Sequence, residues 1–206
     1  MTEENRLQDF TERYASGTIP WDDDLPPPEL VALAEEVTPG RALDLGCGYG
    51  RSAIYLASKG WEVDGVDFVP QAVRVASERA LKAGVAQRVQ FHAASVSELG
   101  FLSGPFHLAL DIGCMHSMSM LELFAYRDHL LRLLPDGAIY LLFAHLQDEQ
   151  ENNADEARWI QEETLRALFS DGFVLQHAEF GTTQVEDKPP WRSAWFNYRR
   201  RISVEP

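Results

Sequence analysis

The stretch Ala42-Leu43-Asp44-Leu45-Gly46-Cys47-Gly48-Tyr49-Gly50-Arg51 limits what this chain can fold into more than any other. A short apolar run leads into three glycines at alternate positions, and residues 52–59 then have helical composition. That is a strand, a tight turn and a helix start, the arrangement that brings backbone close to a ligand. A dinucleotide-binding turn follows G-x-G-x-x-G, so with Gly46 and Gly48 in place its third glycine falls at position 51. Arg51 stands there instead, and Gly50 comes one residue early. With no diphosphate to seat on the helix N-terminus, the turn can curl around a nucleoside that carries an amino-acid tail. Asp44, at the strand end, is then the acceptor near the tail's ammonium group.

Residues 61–66 alternate in polarity and lead to Asp67, where an acidic side chain can bind both hydroxyls of a ribose. D-x-G-x-G-x-G followed by a strand ending in Asp resembles the class I S-adenosylmethionine-dependent methyltransferases, and the resemblance runs over about residues 40–201. It implies S-adenosyl-L-methionine as cofactor, held by Asp44, Gly46, Cys47, Gly48, Gly50, Asp67 and Phe68. After strand three the family usually places an Asp that reads the adenine amino group. Ser95 stands there, an uncharged acceptor, so backbone at Ser95 and Val96 is the expected contact. The resemblance also implies Asp111 as a cofactor contact, on a loop that lines the transfer site. Two other readings stay open: a nicotinamide-dependent oxidoreductase, against which Arg51 argues, and a non-catalytic cofactor- or partner-binding protein, which Ser95 encourages.

The 206 residues suit one domain with a full hydrophobic core, and 45% of them are hydrophobic, as in soluble globular chains. The formal net charge of −14 repels phosphate backbones and anionic membrane surfaces. Nucleic acid and membrane are therefore not expected partners, and a small-molecule methyl acceptor is. The polar, acidic start is no secretory signal, and no run reaches membrane-spanning length. Two cysteines make neither a disulfide framework nor zinc-type pairing, so no metal is expected and the expected setting is cytoplasmic.

Along the chain, residues 2–16 read as a helix with Leu7, Phe10 and Tyr14 on one face. The proline-rich segment 17–28 must run extended. It is either an arm wrapped over an edge of the core or a lid closed by Trp21. In the thiopurine and tellurite methyltransferase-like branch, a segment similar to Ile19-Pro20-Trp21-Asp22 precedes the first strand and helps close the site. Helices are expected over 28–37, 51–59, 70–83, 119–134 and 157–170, the third with Val73, Ala76, Ala80 and Leu81 on one side. Strands are expected over 41–45, 61–66, 89–93, 106–112, 138–145, 173–180 and 194–201. Residues 147–156, acidic and without a core pattern, read as a solvated loop. The alternation predicts an α/β, Rossmann-like, doubly wound and largely parallel sheet. A last connection without a helix makes strand seven antiparallel, and the resemblance implies the strand order 3-2-1-4-5-7-6. The chain reads as a single domain, 1–206, with an N-terminal helical cap or lid (1–39) on a Rossmann-like core (40–206).

In open α/β sheets ligands bind beyond the carboxyl ends of the strands, at the switch in strand order, here between strands one and four. The loop Asp111-Ile112-Gly113-Cys114-Met115-His116-Ser117-Met118 follows strand four. It lacks the Asp/Asn-Pro-Pro-aromatic motif of enzymes that methylate exocyclic amines of nucleobases. Its methionines point to a partly apolar pocket, although Met115, Met118 and Met120 can equally pack the next helix. Methyl transfer from a sulfonium is an in-line displacement. The protein has mainly to hold nucleophile and methyl about 3 Å apart and dry, which can lower the barrier by roughly 7–11 kcal/mol. A base is needed only for an acceptor that arrives protonated. His116 is the candidate, as base or substrate contact, since an unperturbed imidazole pKa of about 6.5 suits the task. A lone loop histidine can also be a packing residue. Cys47 and Cys114 are expected as free thiols lining the cleft.

Overall fold

Seven strands form one sheet in the order β3-β2-β1-β4-β5-β7-β6 in the computed structural model, which describes residues 3–17, 19–23, 25–147, 159–185 and 189–202. The parallel part comprises β1 (Arg41–Leu45), β2 (Glu62–Asp67), β3 (Val89–Ala93), β4 (Leu108–Ile112) and β5 (Ile139–His145). β7 (Trp191–Arg200) runs antiparallel to both β5 and β6 (Phe173–Thr183). The order turns back on itself between β1 and β4, as expected.

The apolar runs of β4 and β5 follow from coverage on both faces. On one face Leu108, Leu110, Ile139 and Leu141 meet α2 (Pro28–Glu36), α3 (Arg51–Ser58) and α4 (Pro70–Lys82), through Leu30, Ala53, Leu56 and Ala80. On the other, Ala109, Tyr140 and Leu142 meet α5 (Met120–Leu133) and α6 (Glu162–Phe169), through Leu123, Tyr126, Leu130 and Phe169. Leu30 makes α2 part of the core layer although it precedes residue 40. α5 starts at a capping box, with Ser119 and Glu122 each bonding the other's backbone N–H. A smaller cluster lies beside the carboxyl ends of the strands. There Leu7, Phe10 and Tyr14 of α1 (Glu3–Ser16) pack on Phe68, Val69, Ala72, Tyr49 and Trp21.

Several boundaries and one helix face differ from the sequence reading. α4 buries Ala72, Ala76 and Ala80, a strict i, i+4, i+8 stripe, while Leu81 is 72% exposed. Alanine lets that helix lie close to the sheet, and the larger side chain is turned out. α6 begins at Glu162 rather than 157, because Ile160 instead bridges Leu146 in parallel. β7 begins at Trp191, paired with Thr183, which shortens the connection from β6. β4 begins at Leu108, and Phe106 is buried just before it. Residues 148–156 of the expected acidic loop lie outside the described residues.

Candidate active site

The glycine turn is built backbone to backbone. Gly46 and Cys47 N–H donate to the Val66 carbonyl at 2.8 and 3.0 Å, and Gly50 N–H donates to the Cys47 carbonyl at 2.9 Å. Gly46, Gly48 and Gly50 have φ of 72°, 54° and 80°, a region that side chains disfavour, which accounts for glycine at alternate positions. Gly46 carries a second constraint: a Cβ there would lie 2.6 Å from Cys114 Cβ. The loop after β4 therefore packs directly on the turn.

The α3 N-terminus, which holds diphosphate in a dinucleotide site, is here taken by Asp44, whose Oδ2 accepts from Ala53 N–H at 3.1 Å. Asp67 Oδ2 accepts from Gly48 N–H and Oδ1 from Val69 N–H, both at 2.9 Å. Each carboxylate oxygen has a further lone pair for a ribose hydroxyl. Asp111 is 0% exposed. It accepts from Cys114 N–H at 2.7 Å, Met115 N–H at 3.1 Å and Tyr126 Oη at 2.9 Å, which shapes the loop and ties it to the core. Burial pushes all three carboxyls up, Asp44 to about 7, Asp67 to about 6 and Asp111 to about 7. Buried acids at the tips of β1, β2 and β4 fit a ligand that brings sulfonium and ammonium charges.

Both cysteines are free, and burial pushes both thiols up. Cys114 faces Gly46, as expected from neighbouring strands. Cys47 is turned under the turn, its Sγ 3.2 Å from where a Cβ on Gly65 would lie.

At the tips of β2 and β3, Phe68, Ala94, Ser95 and Glu98 line an open cleft of about 590 Å³ whose other wall is Glu3, Glu4 and Leu7 of α1. Phe68 and Ser95 come together there. Val96 is buried in the core behind them, so only its backbone can serve a ligand. Tyr14, seen in the sequence only as an apolar-face residue, places its hydroxyl 3.0 Å from where a Cβ on Gly48 would lie. Burial and then the Asp67 charge push its pKa up. Trp21 reaches the site through Tyr14, sitting edge-on to Tyr14 and Phe10 with ring centroids 6.1 and 5.7 Å apart. The arm that carries Trp21 is pinned. Asp22 takes a two-pronged ion pair from Arg79 at 2.7 and 2.8 Å, and Arg51 reaches Asp23 at 3.0 Å. The residue that stands in place of a third glycine thus anchors the arm.

His116 lies on a single 3-10 turn, Met115–Ser117, with its ring centroid 4.5 Å from His145 and 5.2 Å from Trp159. Trp159 stacks on Trp191 at 5.5 Å and 17°. Trp191 Nε1 donates to His145 Nδ1 at 2.7 Å, and since indole N–H only donates, neutral His145 carries its proton on Nε2. Met115 is in the core and Met120 is exposed, so aromatic rings rather than methionines wall this side. His145, Trp159 and Trp191 were not singled out in the sequence. His145 did carry a signal, as a polar residue closing an apolar run at the carboxyl end of a central strand.

A family model described as a methyltransferase domain matches residues 42–137. The chain is 30% identical to the 2-heptyl-1-hydroxyquinolin-4(1H)-one methyltransferase of Mycobacteroides abscessus over 179 residues, 82% of this chain and 78% of that protein. The ajmaline N-methyltransferase of Rauvolfia serpentina is 25% identical over 136 residues, 66% of this chain and 46% of that longer protein. Among solved structures, the 1,6-didemethyltoxoflavin-N1-methyltransferase of Burkholderia thailandensis is similar with a TM-score of 0.74 at 24% identity, covering 95% of this chain and 87% of that one. TehB of Haemophilus influenzae is similar with a TM-score of 0.75 at 15% identity, covering 93% and 67%. Curated relatives and sheet order thus agree with the glycine turn, and the nicotinamide reading falls away. The chain belongs to the class I S-adenosylmethionine-dependent methyltransferases.

Proposed function

We propose that this methyltransferase transfers its methyl group in line to a flat, ring-shaped small molecule, with His116 taking the acceptor's proton. One observation carries the reading: a single loop walls both the cofactor turn and an aromatic cluster. Cys114 packs on Gly46, and two residues later His116 joins His145 and Trp159, with Trp191 stacked behind. A flat ring gains about 0.5–1.5 kcal/mol per aromatic partner beyond simple burial. The name of the Mycobacteroides abscessus relative, a hydroxyquinolone methyltransferase, supports the same acceptor class.

The bound cofactor supplies an electrophilic methyl group on a sulfonium. Asp67 holds the ribose hydroxyls, Asp44 the ammonium group, and the backbone of Gly46, Cys47, Gly48 and Gly50 the tail between them. Phe68, Ser95 and the Val96 backbone flank the adenine. Tyr14 and Trp21 exclude water from above, and Asp111 keeps the 113–117 loop in shape. A charge of −14 disfavours nucleic acid as substrate. Two free cysteines suit a reducing, cytoplasmic setting. Among the described residues no helix is long and apolar enough to cross a membrane.

Turnover against hydroxyquinolones, simple phenols, thiols and metalloid oxyanions, read by mass spectrometry of the products, tests the acceptor class. Hydroxylated bicyclic rings are expected to be methylated fastest. A clear preference for thiols or metalloid anions would sink the aromatic-acceptor reading.

Cofactor affinity is expected to depend on pH. Only ionised Asp44 and Asp67 can pair with the cofactor's cationic and hydroxyl groups, and burial holds their carboxyls at about 7 and about 6. Affinity is therefore full above pH 7 and falls as pH drops through that range, by about tenfold over the first unit. The free protein behaves in the opposite sense. Folded-state values above the unfolded ones give stability that is present at low pH and lost as pH rises from about 4 towards 7. The thermal shift on adding cofactor should grow between pH 5.5 and 8. A shift that stays constant would mean these carboxylates do not meet the ligand.

A further inference from the structure

Two tyrosines stand behind the loop after β4, Tyr126 on α5 and Tyr140 on β5, both fully buried. Tyr126 Oη lies 2.9 Å from Asp111 Oδ2 and 2.9 Å from Tyr140 Oη, and Tyr140 Oη lies 3.7 Å from Met115 Sδ. Each phenol has one hydrogen to give. An ionised Asp111 only accepts, so Tyr126 spends its hydrogen there, and the bond between the two tyrosines takes the hydrogen of Tyr140. The chain then runs from Tyr140 to Tyr126 to Asp111, which also accepts from the Cys114 and Met115 N–H groups. It touches the loop at Asp111 and again at Met115, on either side of the Cys114 that packs against Gly46 and next to His116.

A proton on Asp111 reverses this chain. The carboxyl becomes a donor to Tyr126, whose hydrogen turns to Tyr140, and the hydrogen of Tyr140 is left with the Met115 sulfur, a weak acceptor. The carboxyl also loses the charge that strengthens its bonds from the loop N–H groups. Burial pushes Asp111 up to about 7, while the hydrogen bonds from Cys114, Tyr126 and Met115 pull it down. Among the described residues, Tyr126 is the side chain that donates to Asp111. The other titratable groups that face it are Asp44 from β1, Cys114 in the loop and Tyr140 from β5. Asp67 of β2 acts on Cys114, and so does Arg6 of α1, which is ion-paired to Glu122 at the start of α5.

We infer that Tyr126 is a positioning residue for methyl transfer: acting through Asp111, with Tyr140 behind it, its hydroxyl holds the loop that carries His116 against the glycine turn. This rests on that loop walling the transfer site. Tyr126→Phe in the full chain tests it, with cofactor saturating and an acceptor ionised from pH 6 upward, so that no base is needed. Removing a donor from a carboxylate should move the acid limb of kcat up by about one pH unit. The variant's kcat should then lie about fivefold below wild type at pH 7 and within about twofold of it at pH 9. At pH 9 the acceptor's KM and the affinity for S-adenosylhomocysteine should both hold. Asp111→Asn, neutral at every pH, should show a low kcat and no acid limb. If Tyr126→Phe does not fold, Tyr140→Phe serves, since it takes away the hydrogen bond to Tyr126 and should move the limb the same way by a smaller step. A wild-type profile, a loss of equal size at every pH, or an acid limb that persists in Asp111→Asn would make Tyr126 a packing residue and overturn the role. Hydrogen exchange of the free protein needs no turnover. At pH 7, protection of the Cys114 and Met115 amides should fall about fivefold in Tyr126→Phe while the β5 amides keep theirs. Unchanged protection, or an equal fall in both, would count against the role. Wild-type protein that methylates no ring acceptor would sink the acceptor reading alone, and the exchange result would still decide for Tyr126.

Discussion

His116→Gln is expected to lower kcat about a hundredfold on an acceptor whose hydroxyl is protonated at the assay pH. On an acceptor that is already ionised, kcat should stay within about twofold. The difference follows from the chemistry. A methyl group on sulfonium needs no further activation, so a base matters only where a proton blocks the nucleophile's lone pair. His116 sits in the ring cluster that would stack the acceptor, 4.5 Å from His145 and 5.2 Å from Trp159. Gln keeps a polar side chain of similar reach and cannot take the proton. Rates for a series of ring hydroxyls of graded acidity make the check. A slope against acidity that steepens in the variant supports the base. An equal loss across the series would mean that His116 only packs the cluster.

Asp67→Ala is expected to weaken S-adenosylmethionine binding by about 1.5–3 kcal/mol, or roughly 10–150-fold, because charged hydrogen bonds to the ribose are lost. The structure adds a second consequence. Asp67 also receives Gly48 and Val69 N–H, both at 2.9 Å, so its removal leaves two buried donors unmet and loosens the turn itself. A stability loss of about 1–3 kcal/mol in urea unfolding should therefore accompany the loss of affinity. Asp67→Asn should be nearly as weak a binder, since its amide NH2 meets a backbone N–H where an acceptor is required. Calorimetric titration of the folded variants decides it. Unchanged affinity with the fold intact would mean that the ribose is held elsewhere.

The difference between Gly46 and Arg6 shows where sequence reading stops. Positive φ is a property of one residue and its neighbours, so Gly46, Gly48 and Gly50 announce the turn at alternate positions before anything is packed. Asp67 is as visible, because a strand of alternating polarity that ends in an acid is a local pattern. From the resemblance these residues carry came the sheet order and the cofactor, and the helix-free last connection made strand seven antiparallel. Periodicity placed helices to within a few residues, α6 being the widest miss, but it judged faces less well: α4 turned Leu81 out and Ala72 in. Whether a helical residue faces in or out depends on how closely the helix lies to the sheet, which no local pattern states. Arg6 reads as one more charge on a solvated helix until α1 is laid against α5, and its partner is 116 residues away. His116, His145, Trp159 and Trp191 come from four separate segments and meet because β4 and β5 end, and the antiparallel β7 begins, on the same side of the sheet. The glycine turn was written locally because its hydrogen bonds run backbone to backbone. The aromatic cluster and the Arg6–Glu122 pair were decided by tertiary structure, since contacts between distant side chains leave no period along the chain.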